Sequence, residues 1–160
     1  MIKRIDHIGI AVRNLEESLA FYCGVLGFRQ DGEISSAASD PDELNAMGVT
    51  AGNAYRCVVL KTPQDGVLEM FDFQTNSTPN VVDLPANSIG KLHLAFTVDD
   101  IYAEVEKLKE HGIHFYDNPR EDFMGPWVYF QDPNGIILEF VQRPVPVSYT
   151  HLRAHETVLD

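Results

Sequence analysis

Basic residues are scarce in this chain: 12 Lys and Arg stand against 24 Asp and Glu, a formal net charge of −12 at pH 7. They form no cluster, and binding to a phosphate backbone rests on clustered Lys and Arg, so nucleic acid is excluded as a partner. Cysteine is scarcer still. Cys23 and Cys57 are too few for a disulfide framework and lie in apolar neighbourhoods, which reads as inert core thiols. Also missing is any run of the roughly 18 to 20 apolar residues that a membrane span requires, and MIKRIDHIGI lacks the long apolar segment of a secretory leader. The expectation is a cytoplasmic protein with no membrane partner. What remains is ordinary for a globular protein: 44% hydrophobic and 22% charged over 160 residues, room for one domain or for two small modules that share a core.

Two stretches repeat. IDHIGIAVRNLEESLAFYCGVLGF from Ile5 and KLHLAFTVDDIYAEVEKLKEHGIHF from Lys91 align on His7 and His93, each giving an alternating strand, a capping residue and a helix. Asn14 is the expected N-cap of the first helix, with Leu15, Leu19 and Tyr22 as its apolar stripe. In the second copy Asp99 or Asp100 caps, Ile101, Val105 and Leu108 make the stripe, and Gly112 stops the helix. TPQDGVLEMF and QDPNGIILEF then place an Asp-Gly or Asn-Gly turn before an apolar strand with one glutamate. RCVVLK and PWVYF supply further strands. The fold class is therefore α+β, with module one over residues 1–75, a linker over 76–89 and module two over 90–142. His7 to Glu69 is 16 positions longer than His93 to Glu139, and the extra length is expected in a polar loop around SSAASDPDELNAMG. The remaining residues, 143–160, carry VSYTHLRAHET, which resembles the translated read-through of a sequencing adapter, and are set aside together with His151 and His155.

Strand alternation puts His7 on a face with Gly9 and Ala11, and His93 with Ala95 and Thr97. A polar group among small residues is what a cavity needs. Glu69, between Val67 and Phe71, and Glu139, between Ile137 and Val141, each put one carboxylate in an apolar wall. Any one of these side chains has a bland reading, a satisfied core histidine or a glutamate paired with Lys or Arg. Two His and two Glu at matching positions of a repeat point instead to a divalent cation, which offsets two otherwise expensive buried carboxylates.

IDHIGIAV, FYCGVLGF, LHLAFTVDD and DPNGIILEF resemble the landmarks of the vicinal oxygen chelate superfamily, which includes glyoxalase I, methylmalonyl-CoA epimerase, extradiol dioxygenases and bleomycin resistance proteins. The resemblance covers residues 1 to about 142 and implies paired βαβββ modules, a cup-shaped mixed sheet around one divalent metal, and a homodimer. It implies His7, Glu69, His93 and Glu139 as ligands of Ni, Co, Zn or Mn. Four protein ligands favour glyoxalase-like lyase or isomerase chemistry on a small-molecule substrate, with proton transfer next to a carbonyl and Glu139, ahead of Glu69, as base. An extradiol dioxygenase would take Fe on His7, His93 and Glu139, with Tyr129 in the place of its tyrosine. A non-catalytic, ligand-sequestering protein would leave the two glutamates to pair with Lys or Arg. Ala11 and Ile89 stand where glyoxalase I carries arginines for glutathione, which points to a different oxygenated substrate. The residues expected around that substrate are Phe123, Met124, Trp127 and Tyr129, with Arg56, Lys61 and Arg120 as candidates for an anionic group. His111 and His114, after the second helix, are expected to be exposed.

Overall fold

The computed structural model describes residues 1–37, 41–49, 54–73 and 81–144. Residues 76–80 of the expected linker and 145–160 of the tail lie outside the described residues. The repeat folds as two sheets, one per module. In the first, β1 (Ile8–Ala11) runs parallel to β5 (Val67–Asp72), which pairs antiparallel with β4 (Tyr55–Lys61). Two short strands, β2 (Arg29–Gln30) and β3 (Ser35–Ala37), complete it against β4. In the second, β6 (His93–Thr97) runs parallel to β9 (Ile137–Val141), followed by β8 (Gly125–Gln131) and β7 (Arg120–Asp122). A parallel pair needs a helical crossover, which α1 (Leu15–Leu19) and α3 (Ile101–Glu110) provide.

Local chemistry starts and stops these helices as expected. Asn14 Oδ1 accepts the Glu17 N–H, Asp100 Oδ1 accepts those of Tyr102 and Ala103, and Gly112 leaves α3 at φ +76°. The first helix departs from its 3.6-residue period. After Leu19 it widens into a π-helical turn over Ala20–Val25, and Leu26 N–H reaches the Phe21 carbonyl. Tyr22 is thereby buried and its hydroxyl donates to Asp132 Oδ2, 3.1 Å away in the second module.

One core lies on the helix side of both sheets. Val12, Leu15, Leu60, Met70, Val105, Leu108, Phe130 and Leu138 are among its members, and a Phe28–Phe96 ring contact at 5.5 Å ties the modules together. Each such side chain contributes about 1.5 to 3 kcal/mol of burial. The expected polar loop of the first module is partly regular: it contains β3 and a helix, α2 (Pro41–Ala46). Leu44 explains this. It is buried with Tyr55 and Cys57, and Phe71 and Phe73 pack alongside, so α2 covers one end of the face opposite the core. No helix among the described residues is long and apolar enough to cross a membrane.

Candidate functional site

Register brings the sequence-selected residues onto one face of each sheet. Gly9 is the cross-strand partner of Glu69 on one side and Val59 on the other, while Ala95 and Tyr129 flank Glu139 in the same way. The small residues leave the carboxylates uncovered, and each histidine reaches its own glutamate. His7 Nε2 lies 3.4 Å from Glu69 Oε2, and His93 Nε2 lies 3.1 Å from Glu139 Oε2. His7 turns its other nitrogen toward Asp6, with Nδ1 to Oδ2 at 3.3 Å. His93 is held differently, edge-on to Tyr129 with ring centroids 5.3 Å apart.

The glutamates are partly buried, with side chains 26% exposed for Glu69 and 13% for Glu139. Among the described residues neither is ion-paired with a Lys or Arg. Their other neighbours are protic and neutral. Cys57 Sγ lies 3.4 Å from Glu69 Oε1, and burial, then the adjacent carboxylate, pushes this thiol up to about 12. Burial also raises the Tyr129 phenol, and the nearby Glu139 charge adds to the shift. Cys57 was not a sequence-selected site residue. Its signal was available only in strand pairing, which sets Cys57 on the face of Glu69 one step along β4 from Val59.

Within one chain the two His–Glu pairs stay apart. No group of three or more His, Cys, Asp or Glu gathers at metal-holding distance among the described residues. A cavity of about 870 Å³ does join the modules where β1 and β6 begin, with His7, His93, Lys61 and Phe96 on its wall. Its described lining includes neither glutamate. Of the substrate candidates, Trp127 and Arg120 are cross-strand partners on the Glu139 face, and Arg120 is paired with Asp117 at 2.6 Å. Phe123 and Met124 are exposed in the turn between β7 and β8. Arg56 sits apart from both pairs, because alternation turns it to the helix side, where Glu16 and Asp72 engage its guanidinium. Lys61 stays on the Glu69 face but is paired with Asp31 at 2.7 Å. His111 and His114 are exposed, as expected.

Two modules with one strand order, each presenting a His–Glu pair on a parallel edge, narrow the choice of family. The family model for the Glyoxalase/Bleomycin resistance protein/Dioxygenase superfamily matches residues 4–140. This chain belongs to that superfamily. Among relatives in the superfamily, the protein YaeR of Escherichia coli (strain K12) is 30% identical over 145 residues, covering 89% of this chain and 98% of YaeR. An ethylmalonyl-CoA/methylmalonyl-CoA epimerase of Cereibacter sphaeroides is also 30% identical, covering 89% of this chain and 99% of the epimerase. A crystal structure of a glyoxalase family protein from Bacillus cereus superposes with a TM-score of 0.78 at 20% identity, over 91% of this chain and 97% of that one. The last likeness is one of fold.

Proposed function

We propose that this chain is a metal-dependent lyase or isomerase of the glyoxalase-like branch, which moves a proton at a carbon next to a carbonyl of a small vicinal-oxygen compound. The observation that carries the reading is the pair of partly buried carboxylates, each set against a histidine and, among the described residues, neither neutralised by Lys or Arg. A buried anion without a cation is costly, and a divalent ion bound by the two imidazoles and two carboxylates offsets that cost. The donor set fits Ni, Co, Zn or Mn. His7, Glu69, His93 and Glu139 would hold the ion, which when bound supplies Lewis-acid stabilisation of charge on the substrate oxygens. Among the chain's own groups, a glutamate takes and returns the proton, and Trp127 and Tyr129 form an apolar wall beside it. The epimerase relative is named for an isomerisation, in keeping with this class.

The four ligands assemble when a second copy brings its His93 and Glu139 onto the His7 and Glu69 of the first. Edge strands support this reading. β1 and β6 each end a sheet, and Ile5 and Leu92 beside them are 81% and 78% exposed. A homodimer would cover these apolar side chains and complete two sites at once. The substrate is proposed to differ from a glutathione conjugate, since Ala11 and Ile89 offer no cation. An extradiol dioxygenase reading draws on Tyr129 beside His93 and Glu139, but leaves Glu69 as an unused fourth oxygen donor.

Metal content by plasma mass spectrometry tests the proposal, with untagged wild type compared with Glu69→Ala. Near-stoichiometric Ni, Co, Zn or Mn, falling sharply in the variant, is the expected result. Iron that survives the substitution would move the assignment to the oxygenase, and no metal in either protein would move it to a ligand-sequestering protein.

A further inference from the structure

The two hairpin turns of the repeat are built alike but differ in what they dock against. Aligned on the two glutamates, Thr62 and Gln64 of the β4–β5 turn stand where the β8–β9 turn has Asp132 and Asn134. Each turn closes on itself in the same way: Thr62 Oγ1 accepts the Gly66 N–H at 2.9 Å, and Asp132 Oδ1 that of Ile136 at 2.8 Å. Asp132 has a second oxygen, which accepts the Tyr22 hydroxyl at 3.1 Å, while Asn134 bonds the Arg13 N–H and Ser18. The turn of module two is therefore latched to the first helix. Aligned on the two histidines, the counterparts of Arg13, Ser18 and Tyr22 are Asp99, Glu104 and Leu108. Leu108 has no hydroxyl and Thr62 no second oxygen, and among the described residues no hydrogen bond joins residues 62–66 to α3. A cleft of about 670 Å³ lies there instead, with Thr62, Gln64, Val98, Asp99, Glu104 and Phe140 on its wall.

We propose that the β4–β5 turn is a clasp, which closes this cleft by carrying the Gln64 amide onto the start of α3 while the Asp132–Asn134 latch serves as the hinge. The partners for the closed state are in place. Gln64 is exposed and one methylene longer than Asn134, so its Oε1 can accept the Asp99 N–H while its Nε2 donates to Glu104. Lys107 engages Glu104 Oε2 at 3.3 Å, and among the described residues Oε1 has no partner. Thr62, Ala95 and the edge-on rings of Phe28 and Phe96 form a wall shared by the cleft and by the 870 Å³ cavity that holds His7 and His93. Drawing Thr62 toward α3 moves that wall, so the clasp sets how large a molecule enters between the modules. Nothing in the clasp involves a metal ion, and it is independent of the metal-dependent reading above.

The test uses the full chain with Cys23→Ala and Cys57→Ala, spin-labelled at Asp65→Cys and Glu110→Cys, two exposed positions on either side of the cleft, and reads the distance between labels by pulsed electron resonance. Two populations are expected, an open one and a shorter, closed one. Gln64→Ala removes both hydrogen bonds of the closed state and should lower the shorter population about tenfold. Gln64→Glu should do the same, because it sets a second carboxylate against Glu104. A single distance that Gln64→Ala leaves unchanged would overturn the inference, as would two distances whose proportions do not respond to it. Where the Asp65 label disturbs the turn, as read from the unfolding midpoint, the pair Gln64→Cys/Glu104→Cys takes its place. A disulfide between these positions forms only when the turn reaches the helix, and its absence after prolonged mild oxidation would equally overturn the inference.

Discussion

A partly buried carboxylate with no Lys or Arg partner among the described residues costs stability in metal-free protein. Glu139, with its side chain 13% exposed and set between Ala95 and Tyr129, makes the case at the scale of a single residue. In metal-free protein its charge is desolvated and only neutral groups or a titratable histidine answer it. Glu139→Gln keeps the shape and removes the charge, so metal-free protein should gain about 1 kcal/mol in urea unfolding. With cobalt present the sign should reverse, since an ion that binds only the native state adds stability in proportion to its affinity. A loss of stability in both states would show that the carboxylate is structural. Arg56 teaches the converse. Its charge was read as a possible substrate contact, yet it lies on the helix side of β4 between Glu16 and Asp72, because alternation decides which side of a strand a residue serves.

At the scale of elements, the hairpin turn between β8 and β9 does more than reverse the chain. Asp132 and Asn134 are buried there, and Asn134 Oδ1 accepts the Arg13 N–H at 2.8 Å while its Nδ2 donates to Ser18 Oγ at 3.0 Å. Asp132 accepts the N–H groups of Asn134 and Ile136 and the Tyr22 hydroxyl. The turn of the second module thus anchors the first helix of the first, directly after the strand that begins beside His7. Asn134→Ala would leave buried groups unsatisfied on both sides, and we expect a loss of about 2 to 3 kcal/mol in denaturant unfolding. A change below about 0.5 kcal/mol would mean that the turn holds itself without its partner. The DPNG motif announced a turn and nothing more, because hydrogen bonds 116 and 121 residues apart in sequence leave no local pattern. Gly125 was equally silent: at φ +108° a Cβ there would meet the Gln142 carbonyl oxygen at 2.2 Å, a constraint visible only once β8 and the end of β9 are adjacent.

At the scale of the whole molecule, the proposed metal site makes a prediction about assembly. If each site combines the His7–Glu69 half of one copy with the His93–Glu139 half of another, two dead variants should complement. His7→Ala/Glu69→Ala and His93→Ala/Glu139→Ala would each bind no metal alone. Unfolded together and refolded, they should regain about a quarter of the wild-type metal, since half of the dimers are mixed and each mixed dimer has one intact site. No recovery would place each site within a single chain. The proposed arrangement would also cover β1 and β6, edge strands with exposed apolar flanks.

Short-range patterns determined the elements. The 3.6 and 2.0 periods of side-chain direction, the Asn14 and Asp100 caps and the two turn motifs are contained within a few residues, so the repeat, its helices and the face carrying each His and Glu were legible in the chain itself. Tertiary structure decided everything that depends on which strands meet. Pairing of β4 with β5 brought the Cys57 thiol to Glu69, pairing of β8 with β9 set Tyr129 beside Glu139, and Leu44 turned a polar insertion into a cover for one end of the face that carries Glu69. The physical reason is that local sequence fixes the direction in which a side chain leaves the backbone, whereas its neighbours are set by packing between segments that are distant in sequence.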